Sequence, residues 1–244
     1  MESTPSAVQT SFKRKEKKYL LDRGQYEALR KRLSEHMKED QYGLSTIMSI
    51  YYDDDDFSLI QRSIEKPLYK EKFRLRSYGV PKETAPVFAE IKKKYDGIVY
   101  KRRVTAPLKE MRGFLTEGVS LKDNNPQIQA EIRYMFHRLK LHPAVMVIYE
   151  RIALYGIQDP SLRITFDMNL RYRTDDLDLS LGDHGKAFMP EDFYIMEIKF
   201  PLTSPLWLVQ ILDELKIYPG SFSKIGTCFT QEFKKTQKAK QLNA

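Results

Sequence analysis

From residue 12 to residue 233 the chain switches repeatedly between two hydrophobic periods. Apolar and polar residues alternate over 12–21, 46–52, 70–78, 87–95, 99–105, 145–155, 162–172 and 193–200, which predicts β-strands. Tyr26, Leu29, Leu33 and Met37 recur at helical spacing, which predicts a helix over 26–37 with Asp22 as the cap before it. The same spacing predicts helices over 108–115, 127–139, 206–215 and 221–233, and a short one over 57–64. Gly79–Pro81 and Asp96–Gly97 supply turns between strands, and Asp-Gly is a strong hairpin signal. About eight strands, joined mainly by hairpins, predict an α+β chain with a mostly antiparallel sheet.

The polar half of these strands is mostly charged, and mostly basic. Residues two apart share a face. Arg14, Glu16 and Lys18 therefore form one set, and Lys72, Arg74 and Arg76 the next. Glu90, Lys92 and Lys94 follow, then Lys101 with Arg103, Tyr149 with Arg151, Arg163 with Thr165 and Asp167, and Glu197 with Lys199. A half-polar strand ordinarily turns that half to water, and a solvated face has no reason to prefer one sign. These faces carry twelve basic and four acidic residues, an excess equal to the net charge of +8 of the whole chain. The remainder is balanced, and the excess sits on one side of one sheet.

Composition narrows the classes. The 244 residues suit one domain, and 41% hydrophobic residues are enough to bury a core. The single cysteine, Cys228, excludes an internal disulfide framework and a cysteine-rich metal site. No apolar run approaches the roughly 18 residues of a spanning helix, and the start of the chain lacks a signal-peptide core. The chain therefore reads as soluble and cytoplasmic. Residues 1–10 read as a flexible N-terminus, 11–233 as one domain and 234–244 as a basic tail.

If the sheet closes, the charges line its interior and the apolar faces pack outward against helices. An eight-stranded barrel has room inside for side chains or one narrow ligand. A dozen cations cannot be packed together dry, because like charges at low dielectric repel strongly. They call for an anion of high charge density, such as triphosphate, the phosphates of a nucleotide or a phosphate chain. Arginine contributes forked contacts and lysine movable point charges. The few carboxylates suit Mn²⁺ or Mg²⁺, hard cations that bridge carboxylate and phosphate oxygens. RNA-reading sheets present aromatics for stacking. These faces are poor in them, Tyr149 excepted, so nucleic acid is not an expected partner.

The segments FKRKEKKYLL (12–21), KFRLRSYG (72–79), FAEIKKKYDGIVYKRRV (88–104), VIYERIAL (147–154), LRITFD (162–167), YIMEIKF (194–200) and FSKIGTCF (222–229), in this order, resemble the triphosphate tunnel metalloenzymes, or CYTH superfamily. Within it they most resemble the polyphosphate polymerase domain of the vacuolar transporter chaperone family, in a stand-alone bacterial form. The resemblance implies a closed antiparallel eight-stranded barrel with helices outside and a C-terminal helix at the tunnel mouth. It implies ATP and inorganic polyphosphate as substrates, Mn²⁺ or Mg²⁺ as cofactor, and transfer of the ATP γ-phosphoryl group to a growing chain. A tunnel hydrolase of tripolyphosphate or of nucleoside or thiamine triphosphate, or a non-catalytic polyphosphate binder, is the alternative.

The implied roles fall on particular residues. Lys18, Arg74, Arg76, Lys92, Arg151 and Arg163 match phosphate ligands around the reacting group. Tyr149 matches a tyrosine that grips phosphate, and Lys224 a lysine on the C-terminal helix. Lys101 or Arg103 fills the next basic position. Arg14, Lys72, Lys94 and Lys199 extend the same lining. Glu197 matches the metal-binding glutamate of the last strand, with Glu16 and Glu90 as helpers. Where the hydrolases and cyclases carry E-x-E-x-K, this chain has Arg14, Glu16 and Lys18. That exchange removes a metal ligand and adds a phosphate ligand, which disfavours two-metal water activation. With no membrane span expected, export of product would need a separate membrane protein.

Four other features read as structural. The run Asp53–Asp56 lacks the ligand spacing of a calcium loop and reads as a solvated loop. His36, His137, His142 and His184 have no paired ligand spacing. Cys228 and Trp207 sit among apolar residues and read as packing.

Overall fold

The computed structural model describes residues 15–231 apart from 66, 97, 123 and 202. Arg14 and the two ends, 1–10 and 234–244, lie outside the described residues. In chain order the elements are β1 (Lys15–Asp22), α1 (Arg23–Leu33), β2 (Met37–Glu39), β3 (Ser45–Asp53), α2 (Ser58–Glu65), β4 (Tyr69–Tyr78), β5 (Pro86–Tyr95) and β6 (Ile98–Pro107). There follow α3 (Leu108–Glu117), α4 (Pro126–Leu139), β7 (His142–Gly156), β8 (Arg163–Arg173), β9 (Lys186–Ala187), β10 (Phe193–Phe200), α5 (Leu206–Glu214) and a last helix, α6, described over 224–231.

The strands form one ten-stranded antiparallel sheet whose path runs β1-β10-β8-β7-β3-β4-β5-β6, with β2 on β7 and β9 on β8. The path is open: it begins at β1 and ends at β6, and no described ladder joins the two. The closed eight-stranded barrel expected from the resemblance is corrected to an open sheet. The reason is visible in β6, where every residue from Ile98 to Arg103 is exposed and three successive cations, Lys101, Arg102 and Arg103, guard the strand. Charged edges of this kind resist further pairing. The two strands missed in the sequence, β2 and β9, span three and two residues, too few for a period to show.

The chain divides into two compact units. The first holds residues up to Gly43, Ile152–Asp167 and Asp192–Ser221; the second holds Leu44–Arg151, Met168–Glu191 and the residues from Phe222 onward. In the first, β10 pairs with β1 and with β8. Helix α1 starts where Asp22 accepts from the Gln25 amide at 2.7 Å and the Gln25 side chain reaches back to the Asp22 amide, a capping box. Leu29 and Leu33 are its buried residues. The expected helical position Met37 instead opens β2, because the chain turns at 34–36. Tyr26 stacks on Tyr194 at 4.0 Å between ring centres and meets Phe166 edge-on. Trp207 packs flat on His36 at 4.1 Å.

In the second unit β3, β4, β5 and β6 form consecutive ladders, with β7 on the other side of β3. The apolar halves of these strands, among them Met48, Ile50, Phe73, Ile91, Val104 and Ile148, meet Met111, Phe114, Ile132 and Met135 of α3 and α4 in one buried cluster. Removing that apolar surface from water, at about 25 cal/mol per Å², is what holds helices to sheet. Asn125 caps α4, its side chain accepting from the Gln127 and Ile128 amides, with Pro126 at the first helical position. The acidic run after β3 is not simply solvated. Asp53 is fully buried and accepts from the backbone amides of Asp54, Leu59 and Ile60 at 2.9–3.0 Å. It satisfies orphan donors at the start of α2, which a solvated carboxylate would leave to water. Cys228 of α6 is buried, as expected of packing.

Candidate functional site

The register of the second unit turns the alternation of its strands into rows. Tyr51, Arg74, Glu90 and Arg103 lie opposite one another across β3, β4, β5 and β6. Ser49 lies opposite Arg76, and Lys72, Lys92 and Lys101 form the adjacent row. Directly paired residues share a face. The face opposite the buried apolar cluster therefore carries these polar residues, together with Lys94, Tyr149 and Arg151.

Glu90 is the hub of that face. It is 3% exposed, and each of its oxygens meets a cation. Arg74 Nε donates to Oε2 at 2.7 Å, its Nη2 lies 2.7 Å from the same oxygen, and Lys101 Nζ lies 2.7 Å from Oε1. Arg76 Nη1 is 4.0 Å from Oε2. Burial alone would raise the pKa of this carboxyl, but Arg74, Arg76 and Lys101 outweigh burial and bring it down to about 2. Glu90 was expected to help hold a metal. In the structure its partners are the cations Arg74, Arg76 and Lys101.

Arg76 is buried, and its other nitrogens donate to Ser49 Oγ at 3.1 Å and to the Tyr149 hydroxyl at 3.2 Å. The Tyr149 ring takes two further cations against it: the Arg151 guanidinium 5.2 Å from its centre and Lys224 Nζ, from the start of α6, at 4.7 Å. Arg103 rests over Phe88 at 4.8 Å. The sequence reading missed Ser49 and Tyr51. Arg74 Nη1 donates to the Tyr51 hydroxyl at 3.4 Å. Burial would push the Tyr51 phenol up, yet Arg74, Lys72 and Arg76 bring its pKa down to about 7. The alternation rule would have found both, since Ser49 and Tyr51 are two apart on β3; neither carries a formal charge to draw attention.

The first unit builds its polar face differently. Glu16 pairs with Lys199 and Lys199 with Arg163; Lys18 pairs with Glu197 and Glu197 with Thr165. Lys18 Nζ lies 3.3 Å from Glu197 and 4.0 Å from Glu16, and Lys199 Nζ lies 3.8 Å from Glu16 and 3.9 Å from Glu197. The amide of Gly220 donates to the Lys18 carbonyl at 2.8 Å, fastening the strand. Arg163 is exposed, and Asp167 is fully buried. Two carboxylates thus converge on the same pair of lysines. Beside them the buried hydroxyl of Thr165 has no hydrogen-bond partner among the described residues. These oxygens suit a hard divalent cation. No cluster of three or more His, Cys, Asp or Glu that could hold a metal is found among the described residues.

Each unit by itself brings expected site residues together: Arg74, Arg76, Glu90, Lys101, Tyr149, Arg151 and Lys224 in the second, Glu16, Lys18, Glu197 and Lys199 in the first.

Comparison with known proteins bears on the family and the fold. Over 164 residues, 56% of this chain, it is 27% identical to vacuolar transporter chaperone complex subunit 4 of Trypanosoma brucei brucei (strain 927/4 GUTat10.1). The aligned region spans 21% of that protein, so the chain corresponds to about a fifth of the length of this curated relative. Among solved structures, a candidate adenylate cyclase from Bacillus halodurans superposes with a TM-score of 0.51 at 16% identity, covering 85% of this chain and 92% of the other. A candidate adenylyl cyclase of Hippeastrum, described as having a dominant triphosphatase activity, superposes with a TM-score of 0.51 at 13% identity, covering 86% and 91%. At such identities the two structures speak for the fold alone. The VTC domain family matches residues 13–233, nearly the whole chain, and the chain therefore belongs to the VTC domain family.

Proposed function

We propose that this chain is a metal-dependent, ATP-dependent polyphosphate polymerase. The γ-phosphoryl group of ATP passes to the terminal phosphate oxygen of a growing chain, the bond to the β-phosphate breaks, and ADP leaves. The observation that carries this reading is the cation-rich face around Glu90, with Arg74, Arg76 and Lys101 held in place by one buried carboxylate.

Phosphoryl transfer asks little covalent help of a protein; it asks for alignment and for neutralisation of spreading negative charge. Arg74 and Arg76 are suited to clamp phosphate oxygens, being fixed by Glu90, Ser49 and Tyr149 before any substrate arrives. Lys72, Lys92, Lys94, Lys101, Arg103, Arg151 and Lys224 extend the grip along neighbouring phosphates. In the first unit Lys18, Arg163 and Lys199 are assigned the same task. Glu197 and Glu16 would hold Mn²⁺ or Mg²⁺, which supplies positive charge to the phosphates. No protein nucleophile is required, since the chain terminus attacks. Arg14 is assigned to the lining on the sequence resemblance. No described helix is long and apolar enough to cross a membrane. A cytoplasmic location, and a separate membrane protein to carry product away, belong to this proposal.

The test is incubation of the purified protein with ATP and Mn²⁺ or Mg²⁺. Polymer is read on a gel, and ADP and free phosphate are quantified. Long polymer with matching ADP, absent for Glu197→Gln, is the expected result. Free phosphate without polymer would instead make the protein a hydrolase. Neither product would leave a polyphosphate-binding domain.

A further inference from the structure

The β5–β6 hairpin ends in an exposed apolar tip. Tyr95, Ile98, Val99 and Tyr100 are 53, 56, 49 and 52% exposed, and Leu68 and Tyr69 beside them are exposed as well. A solvated hairpin end has no use for this much bare apolar surface. The register sorts it. Tyr69, Tyr95 and Ile98 lie opposite one another, and Lys93 lies opposite Tyr100 in the next row of the same face. Lys94 and Val99 pair on the other face, with Lys92 further along it. Between residues 92 and 103 the sequence holds six cations and one carboxylate, Asp96.

We propose that this tip docks on an anionic lipid surface, with Ile98 and Val99 entering the acyl boundary. Three features favour a bilayer over other occupants. The residues nearest the turn are aliphatic, the type that gains most from hydrocarbon. Tyr95 and Tyr100 flank them and suit the headgroup level, with an apolar ring and a polar hydroxyl. Lys93, opposite Tyr100 on the same face, follows, where a long side chain reaches lipid phosphate while its stem stays apolar. A second copy of this chain fits poorly, because pairing two such edges sets cation rows against each other. The tip lies beyond the Glu90 cluster, so docking would leave that cluster's ion pairs in place.

The experiment is flotation of the full chain with phosphatidylcholine vesicles, with and without phosphatidylglycerol. Binding is expected only to the anionic vesicles and should weaken as salt rises. The variant Y95S/I98S/Y100S removes apolar surface and no charge. It should lower vesicle affinity by about tenfold or more, while thermal stability and polyphosphate binding stay as in the parent. The milder I98S/V99S should show a smaller loss in the same direction, which covers the case where the triple variant folds poorly. Equal affinity of parent and both variants for anionic vesicles, or no binding by the parent, would overturn the proposal. So would tip-dependent binding of RNA homopolymer stronger than binding of the vesicles.

Discussion

The two units use the same device, a sheet face of alternating charged residues, to different ends. In the first, acids and bases alternate: Lys18 and Lys199 each lie within 4.0 Å of both Glu16 and Glu197. In the second, a single carboxylate, Glu90, faces Arg74, Arg76 and Lys101, while Lys72, Lys92 and Lys94 lie on the same face. The number of charges is similar in kind, but their ratio is not. A pair of carboxylates can exchange its two lysines for one divalent cation and stay balanced. An unbalanced face would suit an added polyanion. The ratio of signs within one face, more than the overall pI, points to what each face takes.

Exchanging one carboxylate in each unit tests this most severely. Glu197→Gln should lower metal-dependent turnover by about a hundredfold or more, the scale of losing a group that stabilises transition-state charge, with polyphosphate binding retained. Glu90→Gln should leave the metal concentration at half-maximal rate within about threefold, since less than 1 kcal/mol then changes at the metal. Initial rates against Mn²⁺ concentration measure both. Equal loss of metal dependence in the two variants would erase the distinction.

The next effect is on anion affinity. Arg74→Ala should weaken tripolyphosphate binding about tenfold or more, or about 1.4 kcal/mol, read by calorimetry. It should also lower stability by about 2 kcal/mol, because it strips a charged hydrogen bond from buried Glu90. Urea unfolding of Arg74→Ala, Glu90→Gln and the double variant would show non-additivity if the two act as a pair.

A smaller effect concerns acid. The carboxyl of Glu90 has a pKa of about 2 in the fold against 4.5 ordinarily, so its ion pairs contribute fully above pH 4.5 and are lost as pH falls toward 2. Glu90→Gln should flatten that part of the stability-versus-pH curve, measured by thermal melts across the range. The smallest effect is spectroscopic. Tyr51, with its phenol at about 7, should add a phenolate absorbance step near neutral pH that Tyr51→Phe lacks. Its depressed pKa adds stability above the ordinary value of 10 that is lost as pH falls through 7. Tripolyphosphate should shift the step upward, because a bound polyanion opposes a second negative charge.

Much of this was legible beforehand. Period-two alternation placed Lys72, Arg74 and Arg76 on one face and Phe73 and Leu75 on the other, and the burial of β4 follows that order from Lys72 to Leu75, while Arg76 is buried too. Alternation could not reveal register. That Glu90 falls opposite Arg74, with Arg76 and Lys101 one diagonal step away on the neighbouring strands, and so becomes a shared counter-ion, depends on how three strands slide past each other. Nor could it reveal closure, because strand count and charge are the same in an open sheet and a barrel. The end of α1 was overrun by one turn because Met37 keeps helical spacing while lying on β2. Asp53 was read with its exposed neighbours, although an acid just before a helix can turn inward to meet amides, as it does here.

The buried carboxylate of Glu90 has one more consequence. On the proposed function, a phosphate reaching Arg74 and Lys101 would find its seat already taken by a resident anion of one charge. It would displace that anion only by offering more charge, and the carboxylate would close behind it as it moved on. The arginines would never be stranded bare, so neither arrival nor departure would meet the full penalty of unpaired buried charge. For a ligand made of identical repeating units this would amount to lubrication: the chain would advance by trading places with a fixed tenant, held firmly at every moment and stuck at none.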